Sequence, residues 1–242
     1  MEKYSDDLFF RPQQKRRFNS YLFSVVAPKY HITTKALSLL NDKRWKRTLT
    51  EALPDDGKKQ KISVLDIACG TGDITDLLKE KFPAASVTGI DLVPSMLCRA
   101  KENCSPDVSL CAQDMCKLAF KNESFDLVTG GYALRNAPDL NGALDEFWRI
   151  LKPGATAHFL EFSKPPQKVL QFNQYCILKL WGALWGYILH RDCSVYTYIA
   201  ESLRRYPDKV SLHLTFAKRG FKVLRSQLKF LGIIELLSLQ KL

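Results

Sequence analysis

The chain has 242 residues, 46% apolar and 25% charged, enough for one α/β domain with a full core and some insertions, and too ordinary in composition for a disordered or fibrous protein. Seven cysteines without a CxxC spacing argue against a disulfide framework and a zinc site, and a first twenty residues rich in charge argue against a secretory signal, so a cytoplasmic chain with reduced, mostly buried thiols is expected. The net charge of +11 divides unevenly, with +6 over residues 1–60, −4 over 61–161 and +9 over 162–242; an acidic centre between basic ends points to a cationic ligand inside and an anionic surface outside, not to nucleic acid.

In chain order, residues 1–60 read as an N-terminal helical cap. Their amphipathic stretch Lys29–Leu53 leads to the turn-like Pro54-Asp55-Asp56-Gly57-Lys58-Lys59. Residues 61–162 then alternate β-branched runs at Ile62–Asp66, Ser86–Asp91, Val108–Ala112, Phe125–Gly130 and Ala155–Phe162 with helical periods at Gly72–Lys81, Pro94–Asn103 and Asn141–Leu151. That alternation predicts βαβ units on a parallel sheet. Pro94 suits a first helical turn, and Lys152-Pro153-Gly154 reads as a basic last turn followed by a stop. Residues 163–215 form an insertion around Ile177–Leu189, which is too short to cross a bilayer and reads as a buried helix or as a lid with Trp181 and Trp185 one turn apart. Residues 216–242 supply two strands, Phe221–Phe230 and Gly232–Leu239, expected to close the sheet edge as a hairpin.

The chemistry begins at Val64-Leu65-Asp66-Ile67-Ala68-Cys69-Gly70-Thr71-Gly72-Asp73. A strand ending in Asp66 and running into Gly70 and Gly72 before a helix lets backbone approach a ligand closely. Asp91 follows Gly70 by 21 residues at the end of the next strand, where a carboxylate can accept from ribose hydroxyls. Position 75 is Thr where a dinucleotide fingerprint has its third glycine. Carboxylates at Asp66, Asp73, Asp91 and Asp114 suit a sulfonium and an ammonium better than a pyrophosphate. Asp114-Met115 fits an adenine pocket covered by Leu92 and Met115. The cofactor expected is S-adenosylmethionine. Some of these aspartates could instead only cap turns, Asp73 and Asp126 first among them.

Further segments carry a more specific likeness: Phe23–Tyr30 with Arg44-Trp45-Lys46-Arg47, Leu134-Arg135-Asn136, Leu160–Pro165, and Tyr196–Arg204 with Pro207-Asp208. With these the chain resembles the ubiquinone/menaquinone biosynthesis C-methyltransferases, which methylate a ring carbon of a prenylated hydroquinone. The resemblance implies a class I, Rossmann-like α/β fold, with a mostly parallel seven-stranded sheet, helices on both faces, and a helical lid over a quinone cavity. It implies that Thr71, Asp91, Asp114, Met115 and Gly131 contact the cofactor, and that Arg135 and Asn136 face the substrate with Tyr30 and Tyr196. It places His31 beside Tyr30, where the family usually has Asp, and it departs again at Thr34 and Ser38-Leu39-Leu40-Asn41.

Carbon methylation needs a ring hydroxyl to lose its proton. The candidates are a water held by Arg135 and Asn136, His31, or His190 at the end of the tryptophan helix, arginine itself being no base. A lipophilic substrate and basic ends together predict salt-sensitive contact with the inner face of a membrane, and a homodimer is left open. A nucleic-acid or protein methyltransferase is disfavoured, because Gly130-Gly131-Tyr132-Ala133 stands where amine methylases carry Asn/Asp-Pro-Pro-aromatic. Methylation of another lipophilic aromatic such as a polyketide is the remaining alternative, and a non-catalytic scaffold the least favoured.

Overall fold

The computed structural model describes residues 11–55 and 61–242; most of the expected turn 54–59 lies outside the described residues. Three helices open the chain: α1 (Pro12–Val26), α2 (Tyr30–Leu37) and α3 (Asp42–Glu51). The alternating core follows as β1 (Ser63–Ile67), α4 (Asp73–Lys81), β2 (Ser86–Asp91), α5 (Pro94–Asn103), β3 (Ser109–Ala112), β4 (Phe125–Gly131), α6 (Leu140–Ile150) and β5 (Leu151–Phe162). Next come α7 (Lys168–His190), α8 (Ser194–Arg205), α9 (Lys209–Lys218), β6 (Phe221–Lys229) and β7 (Ile234–Lys241).

The seven strands lie in the order β3-β2-β1-β4-β5-β7-β6, parallel except that β7 runs antiparallel to both its neighbours. The order reverses direction between β1 and β4, and in such sheets the crevice beyond the carboxyl ends at that point is where ligands bind. Alternation along the strands divides the core into two layers. Leu65, Ile67, Val128, Phe159 and Leu237 pack with Phe147 of α6 and Phe216 of α9. Val64, Leu127, Leu160 and Leu236 face the other way, onto Trp45 and Leu49 of α3 and Ile74 and Leu78 of α4. Burying Leu65, Ile67 and Phe159 completely stabilises the fold by about 1.5–3 kcal/mol each.

Several boundaries differ from the sequence reading for local reasons. α6 starts at Leu140 because Asp139 caps it, its side chain accepting from the Asn141 N–H. Lys152-Pro153-Gly154 does not end a helix but lies inside β5, where a register shift opposite Phe125 and Leu127 accommodates Gly154 at φ 73°. α1 was not foreseen as a separate helix. α7 is longer than expected at 23 residues, and it is not buried: Val169, Phe172, Leu180 and Ile188 are exposed. Its inner face crosses α8 so closely that a Cβ on Gly182 would lie 2.6 Å from the Tyr196 carbonyl oxygen. Of the cysteines only Cys69 is buried, while Cys98 and Cys193 are exposed.

Candidate active site

Loops leaving β1, β2, β3 and β4 wall a first cavity, of about 70 Å³, at the crevice. After β1 the chain turns through Ala68 at φ 51° and Gly70 at φ 56°. A Cβ at Gly70 would meet nothing closer than the Ala68 carbonyl oxygen at 4.0 Å, so the glycine faces open space. Asp91 ties two loops together, its Oδ2 accepting from the Gly70 N–H and its Oδ1 from the Val93 N–H, both at 2.9 Å. Burial raises its pKa against these backbone donors. Asp114 accepts the Cys116 N–H through Oδ1 and pairs through Oδ2 with Arg16 of α1 at 2.5 Å. Leu92, Met96 and Met115 supply apolar faces, and Gly131 forms the side under β4. Asn19 and Phe23 of α1, with Tyr30, form the roof. Carboxylates set among apolar faces beside a glycine that leaves room for a ligand fit a cationic nucleoside.

Three residues expected to touch the cofactor stand behind the wall instead. Asp66 is fully buried, and its carboxylate accepts from the Thr129 and Thr75 hydroxyls at 2.9 and 2.7 Å, so it brackets β1, β4 and α4. Burial, opposed by those hydroxyls, pushes its pKa up to about 6. Thr71 donates to Asp73 at 3.0 Å rather than into the cavity. Gly72, at φ 86°, caps α4, and a Cβ there would collide with Cys104 and Ala100 of α5.

A second cavity of about 390 Å³ lies beside the first, walled by α1, α2, α7 and α8. Phe23, Tyr30, Tyr132 and Asn136 line both, which makes them the junction. The wall is largely apolar, with Val26, Trp45, Phe162, Trp181 and Ile234 among its residues. Arg135, 4% exposed, sits in it with its guanidinium 5.1 Å from the Phe162 ring and 5.6 Å from the Tyr198 ring, donating to the Ser202 hydroxyl. Beneath it Glu161 accepts the Leu134 N–H at 2.6 Å, and burial raises this carboxyl to about pKa 7. Asn136 donates to the Tyr132 carbonyl at 2.8 Å and accepts from the Tyr198 hydroxyl at 3.2 Å. Tyr196 shares a hydrogen bond with Thr33 at 2.6 Å and another with His190 at 2.7 Å. Burial lowers the His190 pKa.

His31 is exposed and lines neither cavity. Sequence reasoning missed Asp42, Lys46 and Tyr132. The Tyr132 hydroxyl donates to Asp42 Oδ1 at 3.0 Å, and Lys46 bridges Asp42 Oδ2 at 2.6 Å and Asp73 Oδ2 at 3.0 Å. Burial opposes the charge on Lys46, but Asp42, Tyr30 and Asp73 outweigh it and raise the pKa. The same ammonium, against the opposing effect of burial, keeps Asp73 below its ordinary value. The one available signal was the i, i+4 pairing of Asp42 with Lys46, which in a charged segment looks like a solvated helix face. Among the described residues no cluster of His, Cys, Asp or Glu could hold a metal, and no helix is long and apolar enough to cross a membrane.

Comparison with known proteins gives this geometry its context. The model of the ubiE/COQ5 methyltransferase family matches residues 12–238. A demethylmenaquinone methyltransferase of Thermus thermophilus is 32% identical over 212 residues, covering 86% of this chain and 95% of its own. A ubiquinone/menaquinone biosynthesis C-methyltransferase UbiE of Desulfotalea psychrophila is 32% identical, covering 88% and 86%. Among solved structures, a SAM-dependent methyltransferase from Thermotoga maritima superposes with TM-score 0.64 at 17% identity over 92% of this chain and 99% of its own. One from Aquifex aeolicus gives 0.59 at 15% over 85% and 97%.

Proposed function

Given that the chain belongs to the ubiE/COQ5 methyltransferase family and is an S-adenosylmethionine-dependent methyltransferase, we propose that it methylates a ring carbon of a prenylated hydroquinone, a demethylmenaquinol or a demethylated benzoquinol. The observation that carries this reading is the largely apolar cavity of about 390 Å³ meeting the cofactor cavity at Tyr30, Tyr132 and Asn136. A polar substrate would find few partners there, whereas a lipophilic ring with an apolar tail fits.

The cofactor, when bound, supplies an electrophilic methyl group on a cationic sulfur. Asp91 and Asp114 would hold its ribose and adenine sides, Gly70 and Gly131 would give its backbone approach, and Met115 and Leu92 would cover the base. Asp66, Thr71 and Gly72 act one layer back, by fixing the loop. On the substrate side Tyr30 and Tyr196 line the wall, and Arg135 with Asn136 faces the ring oxygens. An arginine side chain is a donor and no base, so Arg135 would stabilise a phenolate and orient water rather than take the proton. Holding ring and methyl in line contributes much of the rate, effective molarities for well-placed reactants being on the order of 10⁵ M or more.

Peripheral membrane contact belongs to the same reading. Leu39, Ile177 and Leu231 are exposed and also line the apolar cavity, so its mouth is continuous with the apolar outer face of α7. That helix carries no acidic residue, and the last third of the chain is strongly basic. An anionic bilayer surface matches both features. The deciding experiment incubates the protein with methyl-labelled cofactor and either reduced demethylmenaquinone or a demethylated benzoquinol. Label on a ring carbon of one supports the reading and identifies the quinone class; no transfer to either overturns it.

A further inference from the structure

The apolar cavity contains one carboxylate among the described residues that line it, and that is Asp42. It is 7% exposed. Resting on the hydroquinone reading above, we propose that Asp42, paired with the Tyr132 hydroxyl, takes the proton from the substrate's ring hydroxyl at the junction of the two cavities.

Position is the first argument. Tyr132 lines both cavities, and its hydroxyl donates to Asp42 Oδ1 at 3.0 Å. Its backbone sits at φ 57°, a left-handed conformation that is strained for a bulky residue and persists only where the surroundings enforce it. Here the enforcement comes from the Phe162 ring at 5.6 Å and from the Asn136 amide on the Tyr132 carbonyl. The tyrosine is thereby held over the boundary that a methyl group must cross.

Charge is the second argument. An isolated carboxylate in an apolar wall would protonate itself and lose its use as an acceptor. Lys46 sets an ammonium 2.6 Å from Asp42 Oδ2, so the carboxylate already has a countercharge in this wall before substrate arrives. Each carboxylate oxygen has a second lone pair, so Asp42 can accept from a ring hydroxyl while keeping both present partners. The groups facing it are Tyr132 from the loop after β4, Lys46 on its own helix, Tyr30 from α2, Asp73 through Lys46, and Arg135 across the cavity.

The other candidates are less well placed. His31 and His190 line neither cavity, His190 reaching the apolar one only through Tyr196, and an arginine such as Arg135 cannot accept a proton; Asp42 lines the apolar cavity itself and is bonded to Tyr132, which lines both. The step balances without an oxidant. The ring O–H bond breaks and its proton goes to Asp42; the carbon–methyl bond forms as the methyl–sulfur bond breaks, its electron pair remaining on the now neutral sulfur. The methylated carbon then loses its proton to water beside Asn136, Asp42 returns its proton to the ring oxygen, and one proton is released overall.

The test compares wild type, Asp42→Asn, Asp42→Glu and Tyr132→Phe in steady state, with S-adenosylmethionine and reduced demethylmenaquinone from pH 6 to 10 and cofactor affinity by calorimetry. Asp42→Asn is expected to lower kcat by about 100-fold, the usual contribution of a positioned base, and to change the pH dependence of kcat with cofactor Kd unchanged. Asp42→Glu should restore part of the rate, and Tyr132→Phe should lose about 10-fold. Unchanged kcat and pH dependence in Asp42→Asn overturn the proposal alone. So does a loss that merely follows lost cofactor binding while Tyr132→Phe stays fully active, since that marks a structural role. A wild type that methylates no quinol overturns the functional reading and this proposal with it.

Discussion

The cofactor cavity is built by loops leaving four neighbouring parallel strands, whereas the apolar cavity is assembled by helices from both ends of the chain. In the first, the contact that fixes the site, Asp91 with Gly70, spans 21 residues. In the second, Thr33 meets Tyr196 across 163 residues and Asn19 meets Tyr198 across 179. One site is framed by βαβ units and their turns and only roofed by α1 and Tyr30; the other exists only when α1 and α2 close on α7 and α8. Binding the methyl donor and positioning the acceptor should therefore be separable by mutation.

The largest separation is expected at Arg135→Ala. If the guanidinium faces the ring oxygens as proposed, removing it should lower kcat by 10²–10³-fold, the usual loss for one oxyanion-stabilising donor, with cofactor Kd by calorimetry unchanged. Lysine should rescue little, because the planar group is held against both Phe162 and Tyr198. Asp91→Ala is the reciprocal break. It strands the Gly70 and Val93 N–H groups and removes a negative charge, so cofactor Kd should rise by about 100-fold. If Arg135→Ala instead weakens cofactor binding as much as Asp91→Ala does, the two cavities are one cooperative unit and the comparison fails.

The same contrast explains what was readable. The sheet, the glycine turn and the positions of Asp91, Asp114 and Met115 follow from period-2 runs and a fixed spacing, which local sequence expresses directly. Asp66, Thr71 and Gly72 belong to the same motif yet stand behind the wall, because a motif marks which residues build a turn without saying which of them face the ligand. Asp42 and Lys46 were invisible for another reason: their meaning comes from Tyr132, Tyr30 and Asp73, and no window of sequence contains all five. The apolar stripe of α7 left a buried helix and a lid as open readings, because apolar residues on a helix look the same whatever covers them.

A smaller effect tests the hinge between the halves. Glu161 lies under the turn that carries Arg135, and burial lifts its folded pKa from 4.5 to about 7. An acid whose folded pKa exceeds its unfolded value favours the protonated form when folded, so stability falls as pH rises from 4.5 to about 7 and levels off above. Urea unfolding across that window should show a loss on the order of 3 kcal/mol. Glu161→Gln keeps the acceptor for the Leu134 N–H and should remove most of the slope, leaving below pH 6 the part due to Asp66. An unchanged slope would mean that Glu161 stays ionised, with Arg135 compensating it more strongly than burial opposes it.

The smallest effect concerns the outer surface, where the helical half differs most from the sheet half. Leu180 and Leu184 are 73% and 49% exposed on α7 and line neither cavity. If this face rests on lipid, Leu180→Asp with Leu184→Asp removes two inserted side chains and adds charge repelled by anionic headgroups. Partitioning onto anionic vesicles should then fall by about 10-fold, consistent with roughly 0.8 kcal/mol for each buried methylene only partly inserted. Turnover of a detergent-dispersed quinol should not change. Raising the salt should weaken wild-type binding as the basic residues are screened, each contributing about 1 kcal/mol near the surface. Binding that ignores both the substitutions and the salt would place the contact elsewhere. Loss of a dimer in sedimentation, with vesicle binding intact, would instead make α7 the seat of a second copy, and the mouth of the apolar cavity would then open at a protein interface.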